Sequence, residues 1–386
     1  MISELKDASF ELSFTSGCIG FIMITISQET SERIKVLNVI CTAMVVAIHC
    51  RPNVELPLYS TSYLFQEFFG NGISRVAVPM FFLISGILFF KDSTHTLNHY
   101  PKKMRARIHS LVIPYLTCSL FVLALNFGIQ IGVRSFPTLG KIINGPTNGL
   151  LEKTAIDLLQ IWLVSPLTAH LWFLRDLMFM ALLAPIVLWL FQRLGLSLIL
   201  LLFGLWFFQI NVLPYLGDWR LIRIDSIFFF SIGAYLSSRK IELDTTFYQT
   251  LDRVGYPLLG SWLLLSFARI LLNPDFDIAN KFQFTALGLV LHQLSIVIGI
   301  GALIFISSKA KNKTVLKLSV FSFFIYLFHT PLCWYIGKFL YLLGARETLQ
   351  FVLTIFTTLV VTCLTGILLK TRMSSFYAVV AGGRGA

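Results

Sequence analysis

Charged side chains are scarce in this sequence, 13% of 386 residues, while 56% belong to the apolar class and mean hydropathy is +0.77. A soluble chain of this length cannot hide so much apolar surface, so a polytopic membrane protein is the class that remains. Cysteine is sparse too. The six (Cys18, Cys41, Cys50, Cys118, Cys333, Cys363) are scattered, mostly within apolar runs, and support neither a disulfide framework nor a zinc site. Strict apolar–polar alternation is missing, which argues against a porin-like barrel; the 36 phenylalanines suit lipid-facing helices instead. No nucleic-acid-binding module is visible. The net charge of +12 is therefore read as membrane topology rather than as an RNA- or DNA-binding surface.

What is present is a series of long apolar runs. A helix needs about 20 apolar residues to cross a bilayer, and about ten segments approach that: 34–52, 73–90, 109–133, 170–192, 196–214, 221–238, 255–272, 284–307, 318–341 and 347–370. The expected fold is thus an all-α polytopic membrane protein with about ten transmembrane helices. The fifth and sixth spans are the least distinct, because Pro214 and the charges around Arg220 blur their boundary. The stretch 141–168 reads as a long external loop with a short surface helix. Lys91, Lys102, Lys103, Arg105 and Arg107 lie between spans two and three, and Lys309, Lys311, Lys313 and Lys317 between spans eight and nine. The positive-inside rule places these loops, and both termini, in the cytoplasm. The expected division is a leader over 1–32, a transmembrane domain over 33–372 and a short cytoplasmic tail over 373–386. Within the leader, Cys18 to Ser27 is too short to span and no cleavage site follows it. An interfacial segment and a translation start at Met23 are both open readings.

Ionisable residues inside apolar runs stand out, because imidazole or guanidinium in hydrocarbon must find polar company. His49 closes the run that begins at Val36, and His329 sits midway through Phe-Ser-Phe-Phe-Ile-Tyr-Leu-Phe-His-Thr-Pro-Leu. For each, a buried histidine satisfied by a backbone carbonyl is the plain alternative to function. Tyr326 lies three residues before His329 on the same helical face, and Pro331 frees a carbonyl one turn back. Arg51, His170, Arg175, Asp176, Arg220, Arg223 and Asp225 form a charged set in the outer halves of several spans. Snorkelling accounts for one such residue but not for both Arg175 and Arg223, so either a polar pocket opens outward or an intramembrane ion-pair network exists. Ser85–Gly86 is a small pair of the kind that lets membrane helices pack closely.

Five segments resemble the acyltransferase 3 family of integral-membrane acyltransferases. They are the span ending Val-Val-Ala-Ile-His49; Val-Pro-Met-Phe-Phe-Leu-Ile-Ser-Gly at 78–86; Lys-Lys-Met-Arg-Ala-Arg-Ile-His-Ser-Leu-Val-Ile-Pro-Tyr at 102–115; His-Leu-Trp-Phe-Leu at 170–174; and Phe230-Ser-Ile-Gly233 with Ile325-Tyr-Leu-Phe-His329. The resemblance runs over residues 33–370. It implies an O-acyltransferase of the cell inner membrane. Such an enzyme moves an acetyl or similar short acyl group from acyl-CoA, acetyl-CoA foremost, to a sugar hydroxyl of a surface or exported glycan, lipid-linked in its usual form, with no metal. His49 and His329 would then be catalytic: a histidine that is mostly neutral at physiological pH can deprotonate the acceptor or first accept the acyl group. Lys103, Arg105 and Arg107 would hold the donor's phosphates, with Ser85 near the acyl group. His170, Arg175, Asp176, Arg220 and Arg223 would face the acceptor. One departure is visible. The family carries a basic residue about eleven positions before its first-span histidine; here that position is Asn38, with Arg33 and Lys35 further toward the cytoplasm. On physics alone a transporter or flippase for a glycan or small solute competes, although no inverted repeat relates the two halves. A non-catalytic relative that only binds a partner is the third reading.

Overall fold

A computed structural model describes residues 27–51, 56–91, 100–135, 149–210, 215–216, 219–220, 222–238, 245–274 and 285–384. Most of the expected leader, Met23 included, and the end of the expected fifth span with Pro214 lie outside the described residues.

Each of the ten expected spans coincides with a helix. They are α1 (Gln28–His49), α2 (Thr61–Phe90) and α3 (Tyr100–Ser135), then, after a nine-residue helix α4 (Ala155–Leu163), α5 (Ala169–Leu194), α6 (Leu196–Phe207) and α7 (Ile224–Ser238). The last four are α8 (Thr245–Leu272), α9 (Ala286–Lys309), α10 (Lys313–Leu342) and α11 (Glu347–Arg372), followed by a short α12 (Ser374–Val380). Among the described residues seven helices are long and apolar enough to cross a membrane: α2, α3, α5, α8, α9, α10 and α11. Helix α1 carries Glu29, Glu32, Arg33 and Lys35 in its first turns. Helix α6, at 12 residues, rises only about 18 Å and cannot cross a hydrocarbon core of about 30 Å by itself. Before α7 a short antiparallel pairing joins Tyr215–Leu216 to Trp219–Arg220; the Arg220 side chain lies outside the described residues. Bulky apolar side chains such as Leu120, Phe121, Ile186, Trp189, Leu264 and Phe356 point outward, as a lipid-facing surface requires. The protein is a multi-pass, all-α membrane protein.

Three features of this bundle place the site. First, the segment expected to stay outside as a loop runs along α3. The Leu151 amide donates to Gln130, while farther down α3 Ser119 Oγ donates to the Trp162 carbonyl (2.7 Å) and Tyr115 to that of Leu163 (3.2 Å). These are carbonyls that the end of α4 leaves without helical partners. Thr154 and Asp157 close a capping box at the other end. The short helix of the sequence reading is present, but it descends beside α3 and delivers His170 into the bundle.

Second, prolines free carbonyls that tertiary contacts then use, since proline has no N–H for the residue four back. Pro185 leaves Ala181 O to accept from Tyr100 Oη (3.3 Å). Pro331 does the same for Leu327 O, and Pro114 for Ser110 O.

Third, Gly86 and Gly233 meet. A Cβ on Gly86 would sit on the Phe230 carbonyl oxygen, and one on Gly233 on that of Leu83. The two small-residue signatures, Phe-Phe-Leu-Ile-Ser-Gly and Phe-Ser-Ile-Gly, are thus two halves of one α2–α7 contact.

Candidate active site

Helix α1 ends at His49 well short of the far end of its neighbour. Ala47 lies against Gly70, nine residues into α2, where a Cβ would also press on Arg51. The His49 ring therefore sits inside the bundle. Its centroid is 5.3 Å from that of His329 and 5.9 Å from that of His170, and those two are 4.7 Å apart. Three histidines from α1, α5 and α10 thus form one cluster. His170 and His329 are buried, at 2% and 0% exposure, whereas His49 is only half-buried.

Hydrogen bonds fix the tautomers of two of the three. His329 Nδ1 lies 2.7 Å from Tyr326 O, and a carbonyl only accepts, so Nδ1 carries the proton and Nε2 presents a lone pair. His170 Nε2 lies 3.2 Å from Leu327 O, the carbonyl that Pro331 frees, so Nε2 donates and Nδ1 accepts from Thr330 Oγ1 at 2.6 Å. Thr330 Oγ1 is also 3.3 Å from His329 Nε2. Tyr326 Oη donates to the backbone carbonyl of His170 (2.6 Å) and holds that ring's segment in place. The His49 ring, by contrast, makes no hydrogen bond among the described residues. Two imidazoles are built into the frame, and the third, partly open, has its nitrogens available.

Beyond His49 a buried polar network continues along α2 and α8. Arg51 pairs with Glu67, which is 3% exposed. Asn71 Nδ2 donates to Glu67 (2.7 Å), Arg75 Nε to Asn71 Oδ1 (2.7 Å) and Arg269 Nη2 to Asn71 O (2.6 Å). Glu67–Gly72 is a π-helical turn followed by a 3-10 turn over Ile73–Val76, an irregularity that re-aims side chains and recurs at functional sites. The sequence reading singled out only Arg51 here. The available signal was Glu67, Asn71 and Arg75 entering an otherwise apolar run.

The charged set expected to face an acceptor divides in two. His170 belongs to the histidine cluster. Asp176, fully buried, accepts from the Arg223 amide (3.0 Å) and Ser226 Oγ (2.7 Å) and lies 3.3 Å from Arg175. It thereby caps the N-terminus of α7 from α5. The Arg223 guanidinium stacks 3.9 Å from the Trp172 ring, two residues after His170. Asp225 accepts from Trp206 Nε1 (3.0 Å). Replacing Asp176 by alanine strands an amide, a hydroxyl and a guanidinium. We expect a loss of about 3 kcal/mol or more, read as a lowered thermal midpoint of the purified protein in detergent.

On the opposite side, Lys103 Nζ donates to Phe89 O (2.8 Å) at the end of α2, and the Arg107 guanidinium lies 5.3 Å from the Phe89 ring. Arg105 is exposed, and Ser85 is half-buried beside the Gly86 contact. Arg33 is tied to Glu29 (2.8 Å) and Asp252 (3.9 Å) and stacks on Tyr248, while Lys35 is exposed and Asn38 half-buried. Of the two residues near Asn38, Arg33 is thus already neutralised by acids. Among the described residues no group of three or more His, Cys, Asp or Glu side chains is arranged to hold a metal ion.

The profile of an acyltransferase domain, that of the acyltransferase 3 family, matches residues 32–367. The chain belongs to the acyltransferase 3 family. The match runs from the first turns of α1 to near the end of α11 and so takes in the histidine cluster, the basic first turns of α3 and the paired glycines. Among curated relatives, the succinoglycan biosynthesis protein ExoH of Rhizobium meliloti (strain 1021) is 24% identical over 241 residues. That alignment covers 61% of this chain and 60% of the relative's length. No solved structure matches.

Proposed function

We propose that this acyltransferase 3 member moves a short acyl group, acetyl in the simplest case, from acyl-CoA to a sugar hydroxyl of a surface or exported glycan. The observation that carries the reading is the histidine cluster, with two rings locked by hydrogen bonds and His49 partly open and unbonded. His49 takes the proton of the acceptor hydroxyl, and the oxygen attacks the thioester carbonyl. The tetrahedral intermediate collapses with cleavage of the C–S bond, and the departing thiolate takes the proton from the His49 imidazolium to give free coenzyme A. Neutral His329, its Nδ1–H held on Tyr326 O, turns a lone pair into the cluster and stabilises the imidazolium while it lasts; the His170 ring, 4.7 Å away, packs against it. The logic is that of the partner that steadies the base in a hydrolase triad.

Lys103, Arg105 and Arg107 receive the donor's phosphates, with Ser85 on the path to the thioester. Arg175, Arg220 and Arg223 line the acceptor's approach, and Asp176 holds Arg175 and Arg223 in position. The basic first turns of α3 belong in the cytoplasm by the positive-inside rule, where acyl-CoA is made, so the inner membrane is the expected site. The relative named for succinoglycan biosynthesis supports a glycan acceptor. The test is mass spectrometry of surface glycans from a strain lacking the protein and from the complemented strain. We expect the first to be lighter by one acyl unit per modified sugar; identical spectra would remove the proposed activity.

A further inference from the structure

We propose that Arg384, contributed by the segment after α11, is a ligand for the donor's phosphates alongside Arg107. This rests on the acyl-CoA reading above and adds a residue outside the stretch matched by the family profile, 32–367.

The segment is packed rather than trailing. Tyr377, Val380 and Ala381 are at most 1% exposed and sit with Phe324 on α10. Gly382, at φ +63°, turns the chain over α3 so closely that a Cβ there would meet Ser110 O at 2.8 Å and Pro114 Cγ at 3.1 Å. Arg384 then reaches α3 at its π-helical turn, Ile108–Val112. Its Nη1 donates to Ser110 O (3.0 Å), the carbonyl that Pro114 leaves open, and its guanidinium stacks 3.7 Å from the Phe323 ring.

One hydrogen bond and a ring face use only part of a guanidinium. Burial, and then the charge of Arg107, push the Arg384 pKa down to about 10. Among the described residues no carboxylate forms an ion pair with Arg384, Arg107 or Arg105. Arg107 stands three residues before Ser110 on α3, the residue whose carbonyl Arg384 binds, and two guanidiniums so placed, partly desolvated and without an acid between them, repel unless an anion is supplied. A phosphate or diphosphate supplies it, with the bidentate geometry that arginine favours.

The position fits the donor's shape. Phe323, under Arg384, is six residues before His329 on α10, about 9 Å along the helix. Phosphates bound at Arg384 and Arg107 leave the pantetheine arm to run toward the histidines and present the thioester there.

The test is steady-state kinetics of the full-length protein with two donors: acetyl-CoA, and S-acetyl-N-acetylcysteamine, a thioester without phosphates. For Arg384→Gln, which keeps a donor for Ser110 O but loses the charge, we expect KM for acetyl-CoA to rise about tenfold. Its kcat should stay within about twofold, and the parameters with the phosphate-free donor should not move. Arg384→Lys should fall between the two. An equal loss with both donors, or a drop in folded yield for Arg384→Gln that Arg384→Lys shares, would make the residue a structural latch and overturn the proposal. Unchanged kinetics with acetyl-CoA would overturn it too. If the wild-type protein transfers acetyl from neither donor, the functional reading itself fails, and this proposal with it.

Discussion

Replacing His49 by alanine lowers kcat for acyl transfer by about two to four orders of magnitude, the range that a positioned general base contributes, at unchanged folded yield. The yield is expected to hold because His49 is half-buried, ends its helix and makes no hydrogen bond among the described residues. Nothing in the frame depends on its nitrogens. His329→Ala should differ. That ring is fully buried and its Nδ1–H is bonded to Tyr326 O, so its loss is expected to cost both activity and stability. Purified protein assayed for free thiol release in the presence of acceptor glycan, with yield followed by size-exclusion chromatography, separates the two. A His49→Ala protein that turns over at the wild-type rate would leave the cluster without its base.

The second large effect is structural. Gly86→Leu or Gly233→Leu should abolish the folded protein, because even a Cβ at either position lands on a carbonyl oxygen of the facing helix. Overpacking of a flexible core costs about 1–3 kcal/mol per site. Here backbone meets backbone, so α2 and α7 must part. That parting would also release the Asp176 cap on α7 and move Arg223 off Trp172. The measurement is membrane-inserted, detergent-soluble yield beside wild type. Gly86→Leu recovered at wild-type yield would mean that the two helices pack otherwise.

How much of this was legible in the sequence depends on the range of each signal. A helix follows from each of the ten apolar runs, a property of each segment by itself, and among the described residues seven of these helices are long and apolar enough to cross a membrane. His49 and His329 were visible as costly residues in such runs, and Pro331 as a proline that frees a carbonyl. That the freed carbonyl would hold His170 was not visible. His170 follows a stretch, 141–168, whose amphipathic pattern reads the same for a surface helix as for one descending beside α3. The depth of His49 was hidden too: the apolar run and α1 both end there, but how far the neighbouring α2 extends beyond it is a property of the packing. Asp176 looked like a pocket residue because it is charged and intramembrane; its carboxylate is taken up by the α7 amide and Ser226, a contact between distant parts of the chain. Glu67, Asn71 and Arg75 stand four apart, the spacing of one helical face, but the first two fall before the expected span 73–90 and so were not read as part of a helix. Arg384 lies in a stretch that reads as a tail.

The central claim is that acyl transfer runs through His49. Its most direct test is mass spectrometry of the surface glycan from a strain carrying His49→Ala at wild-type protein level, beside the wild-type and deletion strains. The account predicts a spectrum matching the deletion strain, lighter by one acyl unit per modified sugar. A His49→Ala spectrum that retains full acylation would contradict it.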